Sequence, residues 1–366
     1  YHLEVQKRVS ITRMRPAMQR VRKILYPDPP GSLAALAEVL RNNPLITMTK
    51  DGRDNIYGAS VTAADGSQSI IFTSRRVIEY ASINCQWLFG DGTFLSLPAI
   101  PTLTAASQRR KESAYDAVLQ TIKAFMSGGE NVTNVVTDFE VAQQNSWANT
   151  FPHAKLQGCF FHMVRAFVRY AKEELHLTAH LRVIDGLVRR FIRLCCAIPL
   201  LPQKWLLKGL GVVMGEARQE GNRTYRLLRP FFEYIFTNWI NQRQKKYLMS
   251  VYGSLHRTNN TCESHHRQLN KFIQVAHPNV YDFNEALVSI EESTWINSQA
   301  FLDGIRVGRS RKATSIANDI RLRRLARDLS AATGLVGAAL EDRILRNLHA
   351  AAYTFARAYD NAVQND

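Results

Sequence analysis

Two rhythms of apolar and polar residues divide the chain. The first is short apolar runs bounded by polar residues, the pattern of strands. "SIIFTS" (Ser69 to Ser74) is one, "WLFGDGTFLSL" (Trp87 to Leu97) a second, and "NVTNVVTDF" (Asn131 to Phe139), rich in Val and Thr, a third. Between the second and third, "ESAYDAVLQTIKAFM" (Glu112 to Met126) places Ala114, Val118, Ile122 and Phe125 at helical spacing. Strand, helix, strand predicts an α/β fold. The second rhythm is helical and takes over after Cys159. From Phe161 to Tyr252 aromatic residues interleave with Arg and Lys, "TNNTCESHHRQLNKFI" (Thr258 to Ile273) opens another helix, and an Ala- and Arg-rich helical tail follows. Ahead of the strands, Val9 to Leu25 and Ser32 to Leu40 read as helices split by the breaker "YPDPPGS".

Composition adds a partner. The 366 residues are 46% hydrophobic, a globular composition with length for two or three cores, and the formal net charge is +16. That excess points first to nucleic acid. Lys7, Arg8, Arg13, Arg15, Arg20, Arg22 and Lys23 make the first helix basic, either as a solvated face or as a DNA-backbone surface. No apolar run reaches the length of a membrane span, so no membrane partner is expected. The first residue is Tyr1, and a fragment with an upstream module missing is expected. Five cysteines, an odd number at irregular spacing and without a Cys-x-x-Cys pair, fit a reducing compartment and no zinc ribbon.

Three carboxylates are candidates for a shared site. Asp91 and Asp138 each close an apolar strand run, and in parallel sheets the carboxyl ends of strands converge on one crevice. Carboxylates so gathered suit a hard divalent cation, and two such cations can clamp a phosphodiester displacement. Each also has a plain structural alternative. Asp91-Gly92 is a common turn dipeptide, and Asp138 could cap a helix beginning at Phe139, with Glu140 complementing the dipole. Glu263 is the third candidate, and with Asn260 it also has capping-box spacing. A cap does not need the whole crowd of Arg257, Asn259, Asn260, Glu263, His265 and His266 at one helix start. Cys159-x-x-His162 alone is half of a zinc site. A structural role is favoured over zinc, with a set completed by His265 or His266 as the alternative.

"WLFGDGTF", "NVVTDFEVAQQNSWANTFPHAKLQGCFFHMVRAF" and "RTNNTCESHHRQLN" occur in this order between about Leu45 and Glu292, and together they resemble the Mutator-like element (MULE) transposases. The resemblance implies an RNase H-like catalytic core with a DDE triad, interrupted by an all-helical insertion before the glutamate. By motif, Asp91 matches the first aspartate, Asp138 the second and Glu263 the glutamate. Cys159 and His162 match the family's Cys-x-x-His, with a structural or substrate-positioning role. Arg257, Asn259 and Asn260 would orient Glu263 or touch DNA, and His266 would have a structural or substrate-positioning role. The implied reaction is cut-and-paste DNA transposition with two Mg²⁺ (or Mn²⁺) ions on the three carboxylates. The implied partners are double-stranded DNA and further copies of the chain, in the nucleus. The alternative is a catalytically inactive, transposase-derived DNA-binding or regulatory protein.

The resemblance divides the chain into a helical, basic region (1–66), the first part of the core (67–163), the insertion (164–256), the last part of the core (257–300) and a helical tail (301–366). It also exposes a departure. The family carries two further strands between the DGTF motif and the next helix. Here "LSLPAIPTLTAASQRRK" has Pro98 and Pro101 and no second alternating run. About a dozen residues are short of two strands. The core sheet is therefore expected to be truncated after its first strand, leaving an edge beside the carboxylates.

Overall fold

The computed structural model describes residues 28–91, 94–97, 100–273, 279–305, 307 and 312–355, with positions 17, 21, 359 and 363; of residues 91, 94–97 and 100–103 it describes the backbone alone. The helix expected over Val9 to Leu25 thus lies outside the described residues, apart from positions 17 and 21. The second expected helix is α1 (Leu33–Asn42), started by Ser32, whose side chain accepts the Ala35 N–H at 3.2 Å.

One seven-stranded sheet organises the first half of the chain, in the order β1-β2-β5-β4-β3-β6-β7. Its strands are β1 (Tyr57–Thr62), β2 (Gln68–Phe72), β3 (Trp87–Asp91), β4 (Phe94–Leu97), β5 (Ile100–Ser107), β6 (Asn134–Thr137) and β7 (Lys155–Gly158). The pairs from β1 to β3 are antiparallel, whereas β3–β6 and β6–β7 are parallel. The helices α2 (Arg75–Asn84), α3 (Glu112–Phe125) and α4 (Val141–Thr150) connect them.

The expected truncation is overturned. β4 and β5 are both present, and they pair with each other and with β3 and β2. The single run "WLFGDGTFLSL" holds two strands, not one. Two features hid β5. Its Thr and Ala residues do not alternate by polarity, because Thr104 and Ala105 are both buried. Pro101 also sits at the register shift between Leu95 and Ser96, where a bulge spares the ladder the N–H that proline lacks. The sheet likewise extends into the region expected to be helical up to residue 66, through the β1–β2 hairpin.

Side-chain alternation buries both faces of the sheet. Ile71, Leu88 and Val135 join Ile78, Val118, Ile122 and Trp147 of α2–α4 on one face. On the other, Ile70 and Phe72 meet Leu36 and Leu40 of α1 with residues of α11 (Asn260–Phe272) and α12 (Val280–Leu302).

Beyond β7 the chain is helical: α5 (Phe160–Glu173), α6 (Thr178–Arg182), α7 (Leu187–Ala197), α8 (Leu206–Gln219), α9 (Asn222–Ile235) continued by a π-helical turn (Phe236–Ile240), and α10 (Arg243–Met249). After α11 and α12 return to the sheet, α13 (Ala313–Ala331) and α14 (Gly337–Thr354) join the helical body. Leu329, Leu340, Ile344 and Leu348 are buried in one cluster with Phe167, Phe191, Leu210 and Phe231. The insertion and the tail therefore share a core. No helix among the described residues is long and apolar enough to cross a membrane.

Candidate functional site

Strand register puts the two aspartates level. In the parallel pair β3–β6, Phe89 lies opposite Val136. Two residues further on each strand come Asp91 and Asp138, at the carboxyl ends of neighbouring strands that are about 4.8 Å apart. Asp138 is half-buried just past β6, and its Oδ1 accepts the Glu140 N–H at 3.1 Å. Its carbonyl accepts Gln144 Nε2 at 2.7 Å. The next helix begins at Val141, so Asp138 is not its N-cap, and the start expected at Phe139 moves on by two residues. Glu140 does not cap with its side chain either; its carboxylate accepts from the Tyr115 hydroxyl at 3.0 and 3.1 Å.

Glu263 stands in the first turn of α11. The capping-box alternative is not realised. The N-cap is Asn259, and no side-chain capping bond forms there. Among the described residues nothing donates a hydrogen bond to the Glu263 carboxylate. Its neighbour Cys262 is fully buried and donates its thiol to the Phe89 carbonyl at 3.3 Å. Cys262, Phe89, Val136 and Cys159 form one small core. That core fixes the start of α11 on β3 and β6, two residues short of Asp91 and Asp138.

The segment leading into α11 crosses the ends of the same strands. The Arg257 carbonyl accepts the Phe160 N–H at 2.8 Å, and the His256 carbonyl accepts Gln157 Nε2 at 2.9 Å. The His256 ring stands edge-on to Trp87 and Phe89, with centroids 4.9 and 5.5 Å apart. The Arg257 guanidinium is taken by Asp319 of α13 in a mostly buried ion pair, and it also reaches the Ser254 carbonyl. It is a tie to the tail helix, a pairing across 62 positions that carries no local sequence signal. Asn259 is buried, with its Oδ1 accepting the Cys159 thiol at 3.0 Å, while Asn260 is exposed at the first position of α11.

Cys159 caps the start of α5, and burial pushes its thiol up to about 11. Held neutral by burial, the thiol packs on the Asn259 amide. His162 lies one turn on, with Nδ1 buried and without a hydrogen-bond partner among the described residues. His265 bonds Thr104 of β5 at 3.0 Å, and burial, with His266 beside it, lowers it to about 4, so it is a neutral ring holding α11 to the sheet. His266 is half-buried next to it. The alternative of Cys159 and His162 completed by His265 or His266 is not assembled. Among the described residues no three His, Cys, Asp or Glu side chains are gathered to hold one metal ion, a statement that leaves out the side chain of Asp91.

The chain was compared with known proteins on this background. None of the curated proteins matches it. The family model of the MULE transposase domain matches residues 100–166, from β5 into α5. The matched stretch contains Asp138, Cys159 and His162 and stops short of Asp91 on one side and Glu263 on the other. Its description agrees with the family that the ordered motifs resemble, and over that stretch the chain is similar to the MULE transposase domain.

Proposed function

We propose that the chain is a DDE transposase that cleaves and rejoins DNA with divalent metal, using Asp91, Asp138 and Glu263. The observation that carries this reading is the register. Asp91 and Asp138 stand level on adjacent parallel strands, and Cys262 pins the Glu263 turn to the same two strands. The order β5-β4-β3-β6-β7, three antiparallel strands then two parallel, with a helical body between β7 and α11, supports an RNase H-like core.

The donor set fits a hard cation. All three groups are carboxylates, Glu263 is not consumed by a helix cap, and Asp138 is oriented by a backbone N–H. When bound, Mg²⁺ or Mn²⁺ would supply Lewis acidity at the scissile phosphate and a more acidic attacking water or 3′-hydroxyl. The chain's own part is to hold the carboxylates. The Glu140 N–H and Gln144 fix the Asp138 loop, and the helix-to-strand contact at Cys262 fixes Glu263. The excess positive charge supports binding of duplex DNA through its phosphates. Holding two DNA ends together calls for more than one copy of the chain.

The test is metal-dependent nicking. Purified protein with DNA carrying the element's ends should nick it in Mg²⁺ or Mn²⁺, and Asp138→Asn should remove the activity while DNA binding persists. DNA binding without metal-dependent cleavage by the wild-type chain would instead identify an inactive, transposase-derived DNA-binding protein.

A further inference from the structure

The residue after Asp138 leaves the sheet for the helical body. Phe139 is the one hydrophobic residue before position 160 that joins the large apolar core of the insertion and tail among the described residues. Its ring is held from two sides. On one side lies Gly158, the last residue of β7, where an added Cβ would run into the Phe139 ring. On the other lies Trp239, 4.8 Å away between centroids and edge-on at 73°. Trp239 is itself buried, edge-on to Phe167 at 5.1 Å, and covered by Lys245 Nζ at 5.3 Å from its ring.

Trp239 sits in the π-helical turn Phe236–Ile240, closed by the Asn241 N–H on the Phe236 carbonyl at 2.8 Å. A π turn takes in one residue more than an α turn, so it moves the following side chains to a different face of the helix. Such turns are uncommon and concentrate at functional positions. Here the turn delivers an indole to the residue beside a carboxylate whose loop is also tied by the Glu140 N–H on Oδ1 and by Gln144 on the carbonyl.

We propose that the helical body positions Asp138 through Phe139, with Trp239 as the positioning residue and Gly158 as the floor of the clamp. The inference deepens the metal-site reading of Asp138 and rests on it for its functional meaning, whereas the clamp itself is a matter of packing. Removing Trp239 frees Phe139 to rotate, and the Asp138–Glu140 turn loosens with it.

The test uses the full chain and two readouts, the protection of the Glu140 amide against hydrogen exchange without metal and the affinity for Mn²⁺. Trp239→Leu is compared with Ile344→Val, which thins the same core on α14. Trp239→Leu should lose protection at Glu140 and bind Mn²⁺ about tenfold more weakly, the usual scale for a lost supporting contact, while Ile344→Val changes neither. Trp239→Phe, which keeps an aromatic edge, should recover most of both. Gly158→Ala, which pushes Phe139 from the other side, should reproduce the loss if Trp239→Leu does not fold. Equal Glu140 protection in Trp239→Leu and Ile344→Val, or in Gly158→Ala and the wild type, overturns the clamp. A wild-type chain that shows the expected exchange pattern yet binds no Mn²⁺ overturns the metal reading of Asp138 and leaves the clamp standing.

Discussion

Cys159 shows how a residue's meaning changes with its surroundings. Beside His162 in sequence it is half of a metal pair; in the fold its thiol is buried against Asn259, 100 positions away. Removing the thiol leaves a buried amide oxygen short of a donor. Cys159→Ala should therefore cost about 1–3 kcal/mol in denaturant unfolding, and Cys159→Ser, which keeps a donor, clearly less. The raised pKa fixes the pH dependence. Its ordinary value is 9.0 and its folded value about 11, so the folded state keeps its proton while the unfolded state ionises. The contribution is whole below about pH 9 and lost as pH rises towards 11. Urea unfolding at pH 8 and pH 10 should show a smaller drop in stability for Cys159→Ser than for the wild type; an equal drop would mean that the thiol is not protected. All five cysteines are buried and free, so none should react with a thiol reagent at pH 8 until the chain unfolds.

Elements were legible where periodicity was local. α3 occupies Glu112–Phe125, where the spacing of Ala114, Val118 and Ile122 puts it, β6 falls inside its apolar run, and β2 overlaps its own run, starting one residue earlier at Gln68. β5 was not legible, because a bulge and two buried small residues erase the alternation that marks a strand. The attachment of α13 was not legible either. One of its anchors is the Arg257–Asp319 pair, whose side chains are only 16% and 15% exposed. An ion pair this sheltered is poorly screened, and breaking one side leaves a desolvated charge. Arg257→Ala and Asp319→Ala should each destabilise by about 2–4 kcal/mol, with a double-mutant coupling above about 1 kcal/mol. A coupling near zero would place the attachment of α13 in its other contacts, the Tyr252 hydroxyl on the Ala326 carbonyl among them.

At the scale of the whole molecule, the tail completes the helical body. Leu340, Ile344 and Leu348 of α14 fill the core that Phe191, Leu210 and Phe231 begin. A chain ending at residue 311, lacking α13 and α14, should expose that surface, bind a hydrophobic dye and lose the cooperative unfolding of its helices, seen by calorimetry or circular dichroism. A truncated chain that binds no dye and melts like the full one would show the insertion to be self-sufficient. On the proposed reading of Asp138 the same body bears on the site, since Phe139, the next residue, packs on Trp239.

By itself the sequence determined the α/β class, the change from strands to helices after Cys159, and the three carboxylates with the motifs around them. These are legible because backbone geometry imposes periods of 2 and 3.6 on any stretch that must bury one side. Only the tertiary structure decided that β4 and β5 complete the sheet, that Asp91 and Asp138 are level, and that Glu263 is not spent on a cap. The tail's place in the insertion core and the seat of Phe139 between Gly158 and Trp239 also belong to it. Each of these depends on which surfaces meet across many tens of residues. That choice is made by shape and burial in three dimensions, and a local pattern holds no record of it.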